Sequence, residues 1–494
     1  MSGLRLALLA FTVVAGAVAC NDAVETPVGT DRGAGGGFDA AAGTDTGTGG
    51  PSDGATGADT ADGTGTEDVE PADAAGGDAE IDSGVPDSGE PVDAGLPDDV
   101  QTPDGGPTDE GNADQGPVDT DAGMVDAGVH DGGSADTSQP VEYPPDAWGP
   151  YLAGVYNNNL IYDQNRKRTV PMYFWYPASA QGAKQATYMG LMKGQAWEDA
   201  PAAKTAGPFP LILFSHGFKG IAFQSFSLTE YLASHGFVVA APNHQGNTLF
   251  DFTSTDEDVA NVTLERPKDV YFTYEKAVEF GKTSGHVLEG IVREDLTAIT
   301  GHSFGAFTAI IVAGSEADMD RAKAACAQGV EADIFCDYVP YYAPGTMLRM
   351  DPRLPGLKAL VALAPGGYNA MFDDNLAKVY VPGLTMGGTE DTTCPLDIET
   401  RPIYNGMPKP KSKAELTGAT HMSFTNVCSI PMAQAIFGDM CKATMTEERA
   451  FEIINTLTTA YLRLHVNGEG GMHAWLEDPY IAQQLSEVAW IDER

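Results

Sequence analysis

Basic residues are scarce in this 494-residue chain, which has 28 Lys and Arg against 70 Asp and Glu and a formal net charge of −42. A charge this negative repels phosphate backbones, so the composition argues against a nucleic-acid partner. Long apolar runs are also lacking, because only the first 20 residues form an apolar segment, which is short for a helix that spans a bilayer. The chain has no C-x-x-C or H-E-x-x-H motif and no clustered His and Asp spacing, so we expect neither a metal nor another cofactor.

The negative charge is concentrated between residues 21 and 142, where 30 acidic residues face a single basic one, Arg32. The same segment consists mostly of Gly, Asp, Ala, Thr and Pro, and it cannot bury enough apolar surface to offset the entropy lost on ordering. Its Asp-Gly repeats lack the regular ligand spacing and terminal Glu of a calcium loop. We therefore expect residues 21–142 to be a disordered acidic tether, followed by a domain over residues 143–494 that is large enough to bury a core.

The N-terminus has the pattern of an export signal. Arg5 precedes an apolar stretch that ends in small residues directly before Cys20, as in a secretory signal peptide. The sequence Ala-Val-Ala-Cys at 17–20 resembles a bacterial lipobox, in which Cys20 becomes the lipidated first residue of the mature protein. Ala17 stands where a lipobox usually has Leu, so a plain secretory signal is the alternative. We expect residues 1–20 to be a signal peptide and the protein to be an exported bacterial lipoprotein of the cell envelope, or a secreted protein.

Residues 143–494 alternate between short apolar runs and segments of helical spacing. Such alternation predicts an α/β fold with a mostly parallel sheet covered by helices on both faces. The predicted strands are 169–176, 209–215, 237–241, 296–300, 357–364, 381–387 and 414–417, and the predicted helices are 223–234, 267–280, 304–314 and 447–464. The helix at 267–280 is expected to begin with Pro267 in its first turn.

A candidate nucleophile lies in the G-x-S-x-G motif at 301–305, which reads Gly-His-Ser-Phe-Gly. The bare pattern is weak evidence, since residues 50–54 of the acidic segment also fit it. Only the copy around Ser303 follows a predicted strand and opens a predicted helix, which is the context of a nucleophile elbow. Gly301 and Gly305 suit a turn too tight for side chains, and the helix N-terminus offers N–H groups to a reacting oxygen. We expect Ser303 to be the nucleophile.

A serine nucleophile needs a base and an orienting acid, and both follow in the chain. Asp391 comes just after the predicted strand 381–387, and His421 comes just after 414–417. The order Ser, Asp, His is that of α/β hydrolases. Glu390 and Asp397 are competing carboxylates, and Asp391 is preferred to them as the acid.

The oxyanion hole is predicted at two backbone N–H groups. The strand 209–215 runs into a His-Gly-Phe turn at 216–218, so the N–H of Phe218 and that of Phe304, next to the nucleophile, are expected to face the developing oxyanion. His216, His244 and His302 are interpreted as structural histidines.

The stretch 211–244, together with the motif at 301–305, resembles bacterial relatives of plasma platelet-activating-factor acetylhydrolase, which belong with the dienelactone-hydrolase-like α/β hydrolases. The segments 168–177 and 266–269 fit the same group. The resemblance implies serine carboxylester hydrolysis, with Ser303, Phe218 and Phe304 at the family's nucleophile and oxyanion positions. The mammalian enzyme takes its acid from just after the sixth strand, where this chain reads Ala-Pro-Gly at 364–366. The acid must then come from the next strand, as in dienelactone and bacterial polyester hydrolases, which favours Asp391.

Cysteine usage suits an exported protein, with five cysteines besides Cys20. If the loops after Asp391 and His421 converge on Ser303, a bridge between Cys394 and Cys428 would fix acid and base. A bridge between Cys326 and Cys336 would close a small loop in the insert 317–356, and a Cys428–Cys441 bridge is the main rival. The insert is rich in aromatic residues and Met, which would form a lid over the pocket or complete the core.

The sequence thus predicts a monomeric, membrane-tethered serine hydrolase that cleaves short-acyl carboxylic esters, either small molecules or lipids. The alternatives are a polyester-hydrolase-like or dienelactone-hydrolase-like esterase, a serine peptidase of similar fold, and a catalytically inactive hydrolase fold that serves as a surface binding module.

Overall fold

A computed structural model of the chain describes residues 143–329, 335–430 and 433–494. The expected signal peptide 1–20 with its lipidation site Cys20, and the expected tether 21–142, lie outside the described residues. Among the residues described, no helix combines the length and the apolar character needed to cross a membrane.

The strands of the described residues form one large sheet and two small two-stranded sheets. In chain order they are β1 Leu152–Asn158, β2 Tyr162–Asp163, β3 Arg168–Thr169, β4 Met172–Ala178, β5 Lys184–Tyr188, β6 Met192–Glu198, β7 Phe209–Ser215, β8 Val238–Pro242, β9 Val292–His302, β10 Ala317–Asp318, β11 Met347–Leu348, β12 Leu357–Leu363, β13 Gly383–Gly388, β14 Lys411–Leu416 and β15 Val488–Glu493. The large sheet has the order β15-β14-β13-β12-β9-β7-β8-β4-β1-β6-β5. The strands from β14 through β8 pair in parallel, and the edges add antiparallel pairs, so the sheet is mostly parallel.

Helices cover both faces of this sheet, as the sequence predicts. They are α1 Phe226–Ser234, α2 Asp256–Lys282, α3 Phe304–Val312, α4 Met319–Ala327, α5 Tyr368–Leu376, α6 Thr400–Gly406, α7 Ala433–Phe437, α8 Glu447–His465 and α9 Asp478–Gln484, with 3₁₀ turns at Val339–Tyr341, His421–Phe424, Val427–Ser429, Gly438–Cys441 and Gly470–Trp475. Helices α1 and α8 pack on one face, and α2, α3, α5 and α6 pack on the other. Strand β7 is buried on both faces by these two layers. Leu211 and Leu213 point into one core, and Ile212 and Phe214 point into the other. Because both faces are buried, the whole run is apolar.

The helix predicted at 267–280 is wrong in its start, because α2 begins at Asp256. Thr255 caps it in a capping box: the Asp258 N–H donates to the Thr255 hydroxyl, and the Asp258 carboxylate accepts from the Thr255 N–H. This reciprocal pair satisfies two N–H groups that the first turn would otherwise leave open. Pro267 therefore lies inside the helix, where it removes one backbone hydrogen bond, rather than at the first turn.

Four of the parallel strands bring the candidate residues to one edge of the sheet. Strand β7 ends directly before His216, and β9 ends directly before Ser303. Asp391 lies three residues after the end of β13, and His421 lies five residues after the end of β14. Because parallel strands end at the same edge, loops that are far apart in the sequence meet there. The candidate residues therefore lie together at this edge.

Candidate active site

Ser303 occupies a strained turn between β9 and α3. Its backbone φ is 58° and ψ is −121°, a conformation that non-glycine residues rarely adopt. The turn is as tight as the motif predicts, since a Cβ on Gly301 would lie 2.4 Å from the Gly305 oxygen, and one on Gly305 would lie 1.9 Å from the Ser215 oxygen. Only glycine fits at both positions, so the sequence holds Ser303 in the geometry of a nucleophile elbow.

Asp391 and His421 form a buried pair at the same edge. His421 Nδ1 donates to Asp391 Oδ2 at 2.8 Å, and Asp391 Oδ1 accepts the backbone N–H groups of Thr393 and Cys394, also at 2.8 Å. Burial acts to raise the pKa of Asp391, but the bond from His421 and the two N–H groups outweigh it, so the pKa lies below its ordinary value. The carboxylate is therefore ionised at neutral pH and holds the imidazole with its second nitrogen, Nε2, free of this contact.

Ser303 and His421 line one cavity. The neighbouring His302 joins them, because its ring centre lies 4.7 Å from that of His421 and its Nε2 donates to the His421 carbonyl at 2.9 Å. Within the described part of the chain, no hydrogen bond links the Ser303 hydroxyl to the His421 ring. Catalytic pairs often close only when substrate binds, so the lack of this bond does not separate the two groups, and the pocket holds a serine hydroxyl and an imidazole together.

The two competing carboxylates have other partners. Glu390 accepts from the backbone N–H of Thr444 at 2.9 Å and from its hydroxyl. Asp397 is exposed and pairs with Arg401. Of the three acids considered from the sequence, Asp391 is the one that contacts His421.

The expected oxyanion donors lie on either side of Ser303. Phe304 is the first residue of α3, and Phe218 follows β7 with its ring 6.4 Å from that of Phe304. Both residues line the cavity beside Ser303. Neither backbone N–H has a hydrogen-bond acceptor among the described residues, so both amides are available to an oxygen bound there.

His216, His244 and His302 are buried and hydrogen-bonded, in keeping with structural roles. His216 Nε2 accepts the backbone N–H of His244 at 3.0 Å, and His244 Nδ1 donates to Asp269 at 3.0 Å. Burial lowers the pKa of His302 to about 3, with a further contribution from His421, and it lowers the pKa values of His216 and His244 well below the ordinary value. All three rings are neutral at physiological pH and act as fixed hydrogen-bonding groups.

Gln224 is a site residue that sequence reasoning missed. Its side-chain oxygen accepts the Gly217 N–H at 3.1 Å, its amide donates to His302 Nδ1 at 3.0 Å, and its carbonyl accepts the Asn426 N–H at 2.7 Å. One residue thus connects the turn 216–218, called the oxyanion turn below, strand β9 and the loop that carries His421. A glutamine near the start of a predicted helix gives no such signal, because two of its partners, His302 and Asn426, are distant in sequence.

The cavity has a volume of about 700 Å³ and a mostly apolar wall. Phe218, Phe250 and Phe252 are each about half exposed at its lining. Deeper apolar contributions come from both sides of the site, namely Met189, Met192, Ile221, Leu249, Tyr338, Met422, Val427, Ile430, Ala433, Phe437 and Met440. This size and a mostly apolar wall are typical of pockets that bind small organic molecules.

Two disulfides are present in the described residues, and one differs from the expectation. Cys326 and Cys336 are bridged as predicted, whereas Cys428 pairs with Cys441, the rival arrangement, and not with Cys394. The Cys394–Cys428 prediction is wrong because Cys394 turns inward, where it is buried and its N–H binds the Asp391 carboxylate. The convergence of the two loops is thus made by the hydrogen bond between Asp391 and His421 and not by a covalent bridge.

The insert 317–356 serves both purposes considered from its sequence. Tyr338 lines the cavity and stacks on Phe218 with ring centres 6.0 Å apart. Phe335 is buried against the rings of Phe304 and Phe307 at the nucleophile helix. The described part of the insert therefore closes one side of the pocket and also completes the core.

Comparison with known proteins adds two kinds of match. A family model described as platelet-activating factor acetylhydrolase, isoform II, matches residues 178–282. Cutinase est2 of Thermobifida alba is 25% identical over 215 residues, which is 43% of this chain and 52% of that protein. Cutinase 2 of Thermobifida cellulosilytica is 26% identical over 215 residues, which is 43% of this chain and 60% of that protein. Cutinase 1 of the same organism is 40% identical over 81 residues, 16% of this chain and 29% of the relative. The chain thus spans between about a third and about three fifths of the length of these relatives.

Proposed function

Since the chain is an α/β hydrolase that resembles the platelet-activating-factor acetylhydrolases, we propose that it is a serine carboxylester hydrolase. Its substrates are short-acyl esters, either small molecules or lipids, and its catalytic domain covers residues 143–494. The observation that carries the proposal is the buried hydrogen bond by which Asp391 holds His421, because His421 lines the same cavity as the strained Ser303.

The proposed reaction is a two-step acyl transfer. The Ser303 hydroxyl attacks the ester carbonyl carbon while His421 Nε2 accepts its proton, and Asp391 keeps the imidazole in the required tautomer. The N–H groups of Phe218 and Phe304 bind the oxyanion. The alcohol leaves with the proton from His421, and water, activated by the same imidazole, then cleaves the acyl-enzyme to the carboxylic acid.

Hydrolysis of p-nitrophenyl butyrate by the purified protein tests this proposal. The wild type is expected to turn over the ester and to be labelled by a fluorophosphonate, and Ser303→Ala is expected to do neither while its circular dichroism and unfolding midpoint stay close to those of the wild type. Ser412→Ala is a matched control, because Ser412 lies in β14 and hydrogen-bonds Asp492. A wild type that is inert to ester and label would support the inactive binding module instead, and an active Ser303→Ala would remove Ser303 from the mechanism.

A polyester is the second candidate substrate. The half-exposed rings of Phe218, Phe250 and Phe252 at the cavity favour it, since flat apolar groups suit a long polymer chain. The similarity to proteins named cutinases points the same way. Release of soluble acid from a polyester film, compared with hydrolysis of p-nitrophenyl butyrate by the same sample, decides between a polymer and a small ester.

The proposal includes export of the protein and its attachment to a membrane through a lipid on Cys20. Two disulfides fit an oxidising compartment, and the lipobox-like sequence before Cys20 supports a lipid anchor. Incorporation of a labelled fatty acid into the wild type, and its loss in Cys20→Ser, tests the anchor. A wild type that takes up no label would favour the plain secretory signal.

A further inference from the structure

Arg266 is fully buried beneath the oxyanion turn. It lies in α2, and each part of its guanidinium has a neutral acceptor. Nη2 donates to the His216 carbonyl and, at 3.2 Å, to the Ser215 hydroxyl; Nε donates to the Thr308 hydroxyl at 3.0 Å; Nη1 donates to Asn247 Oδ1 at 3.0 Å. A single side chain thus connects β7, α3 and the loop after β8.

These partners surround both proposed oxyanion donors. His216 lies two residues before Phe218, and Asn247 Oδ1 also accepts the backbone N–H of Lys219, the next residue, at 3.3 Å. On the other side, the guanidinium lies over the Phe304 ring, 4.7 Å from its centre. The turn that presents one amide and the helix end that presents the other are therefore held by the same group.

The environment of this arginine is costly. No carboxylate among the described residues lies within salt-bridge distance of it, and a buried charge without an ion pair normally lowers stability. The nearby carboxylate of Asp269 is instead bound by Arg166, Arg168 and His244. A protein that needed only a stable core would place an apolar side chain here.

We propose that Arg266 is a positioning residue for the oxyanion hole, which fixes the N–H of Phe218 relative to that of Phe304. This inference rests on the proposed esterase function and deepens it. The planar fork of Arg reaches several acceptors at once, and a lysine in its place has one point of contact, so charge alone does not replace it. Arg266 acts through the two amides and does not touch the reacting atoms.

The test compares three variants with the wild type in hydrolysis of p-nitrophenyl butyrate. Arg266→Lys and Asn247→Leu are expected to lower kcat by roughly 10- to 100-fold, because small displacements of an oxyanion donor have effects of this order, with KM changed less than about three-fold. Asn247→Asp keeps an acceptor oxygen and is expected to lose less activity than Asn247→Leu. Affinity for a phenylboronic acid, whose tetrahedral adduct on a serine mimics the oxyanion, should fall in parallel with kcat/KM.

Arg463→Lys is the matched control, because Arg463 is also buried on a helix and hydrogen-bonded to Glu469 and to the Tyr143 carbonyl, away from the cavity. It should leave kcat and the boronic-acid affinity unchanged. An active wild type together with an unaffected kcat in folded Asn247→Leu would overturn the positioning role, and so would equal losses in Asn247→Leu and Asn247→Asp. An inactive wild type would instead refute the esterase function itself. If Arg266→Lys does not fold, the Asn247 pair decides the question.

Discussion

Asp391→Asn is the change with the sharpest expected outcome. In the wild type, Oδ1 accepts two backbone N–H groups, from Thr393 and Cys394, and Oδ2 accepts from His421 Nδ1. An asparagine keeps its oxygen toward the two N–H groups, because the reverse orientation would place its NH₂ against two donors. The NH₂ therefore faces His421 Nδ1, which must become an acceptor, and the ring proton moves to Nε2.

An imidazole protonated at Nε2 is not able to accept the Ser303 proton. We therefore expect kcat to fall on the order of 10⁴-fold, as for the same change in serine proteases, which is about 5 kcal/mol of lost transition-state stabilisation. The measurement is kcat for p-nitrophenyl butyrate at pH 7.5, with circular dichroism to show that the variant is folded. A folded Asp391→Asn with more than a tenth of the wild-type kcat would contradict the tautomer argument.

Glu390→Gln and Asp397→Asn are the matched controls for this experiment. Both remove a carboxylate within six residues of Asp391 in the chain, but Glu390 contacts Thr444 and Asp397 contacts Arg401. Each is expected to retain kcat within about two-fold, since an exposed ion pair or hydrogen bond contributes little. A large loss in either variant, with Asp391→Asn active, would identify a different triad acid.

Three further predictions concern stability. Replacing Cys428 and Cys441 by Ser opens a loop whose ends are 13 residues apart and is expected to cost about 3 kcal/mol of unfolding free energy, which urea denaturation measures. An unfolding free energy equal to that of the oxidised wild type would show that this bridge contributes nothing. Thr255→Ala removes the cap of α2 and should cost about 1 kcal/mol, whereas Thr255→Ser should cost less than half of that. Burial raises the pKa of Glu230 from 4.5 to about 7, so the unfolding free energy of the wild type should decrease as the pH rises from about 4.5 to 7. The decrease should be smaller in Glu230→Gln. Identical slopes of unfolding free energy against pH in the two proteins would refute this prediction.

The sequence predicts the parallel centre of the fold well, and the reason is burial on both faces. Strand β7 is a continuous apolar run, and its sequence predicts the bounds that the structure has, Phe209–Ser215. The antiparallel edge is harder, since β6 reads Met-Lys-Gly-Gln-Ala-Trp-Glu and alternates between buried and exposed residues around a glycine. The sequence pattern misses the start of α2 because Pro267 imitates a first turn. The helix begins eleven residues earlier, at Asp256, and its cap is the pair Thr255 and Asp258.

The candidate site also contains residues that the sequence predicts and residues that it does not. Ser303, Asp391 and His421 each follow a recognisable strand, so chain order alone brings them to one edge of the sheet. The residues that hold the loops, Gln224 and Arg266, make contacts across 50 to 80 positions of sequence, and no local pattern encodes them. The sequence does not identify the disulfide partner of Cys428, because convergence of two loops does not determine which side chains face each other.

The hub at Gln224 has a consequence for how the molecule opens. Three of its hydrogen bonds join the turn 216–218, strand β9 and the segment after His421, so a fluctuation that frees one of these segments weakens the hold on the other two. Amide hydrogen exchange should therefore report Gly217 and Asn426, whose N–H groups both end on Gln224, as exchanging with similar opening free energies despite their distance in sequence. The walls of the pocket would then open and close in one cooperative step, while the hydrogen bonds of the sheet behind them stay intact.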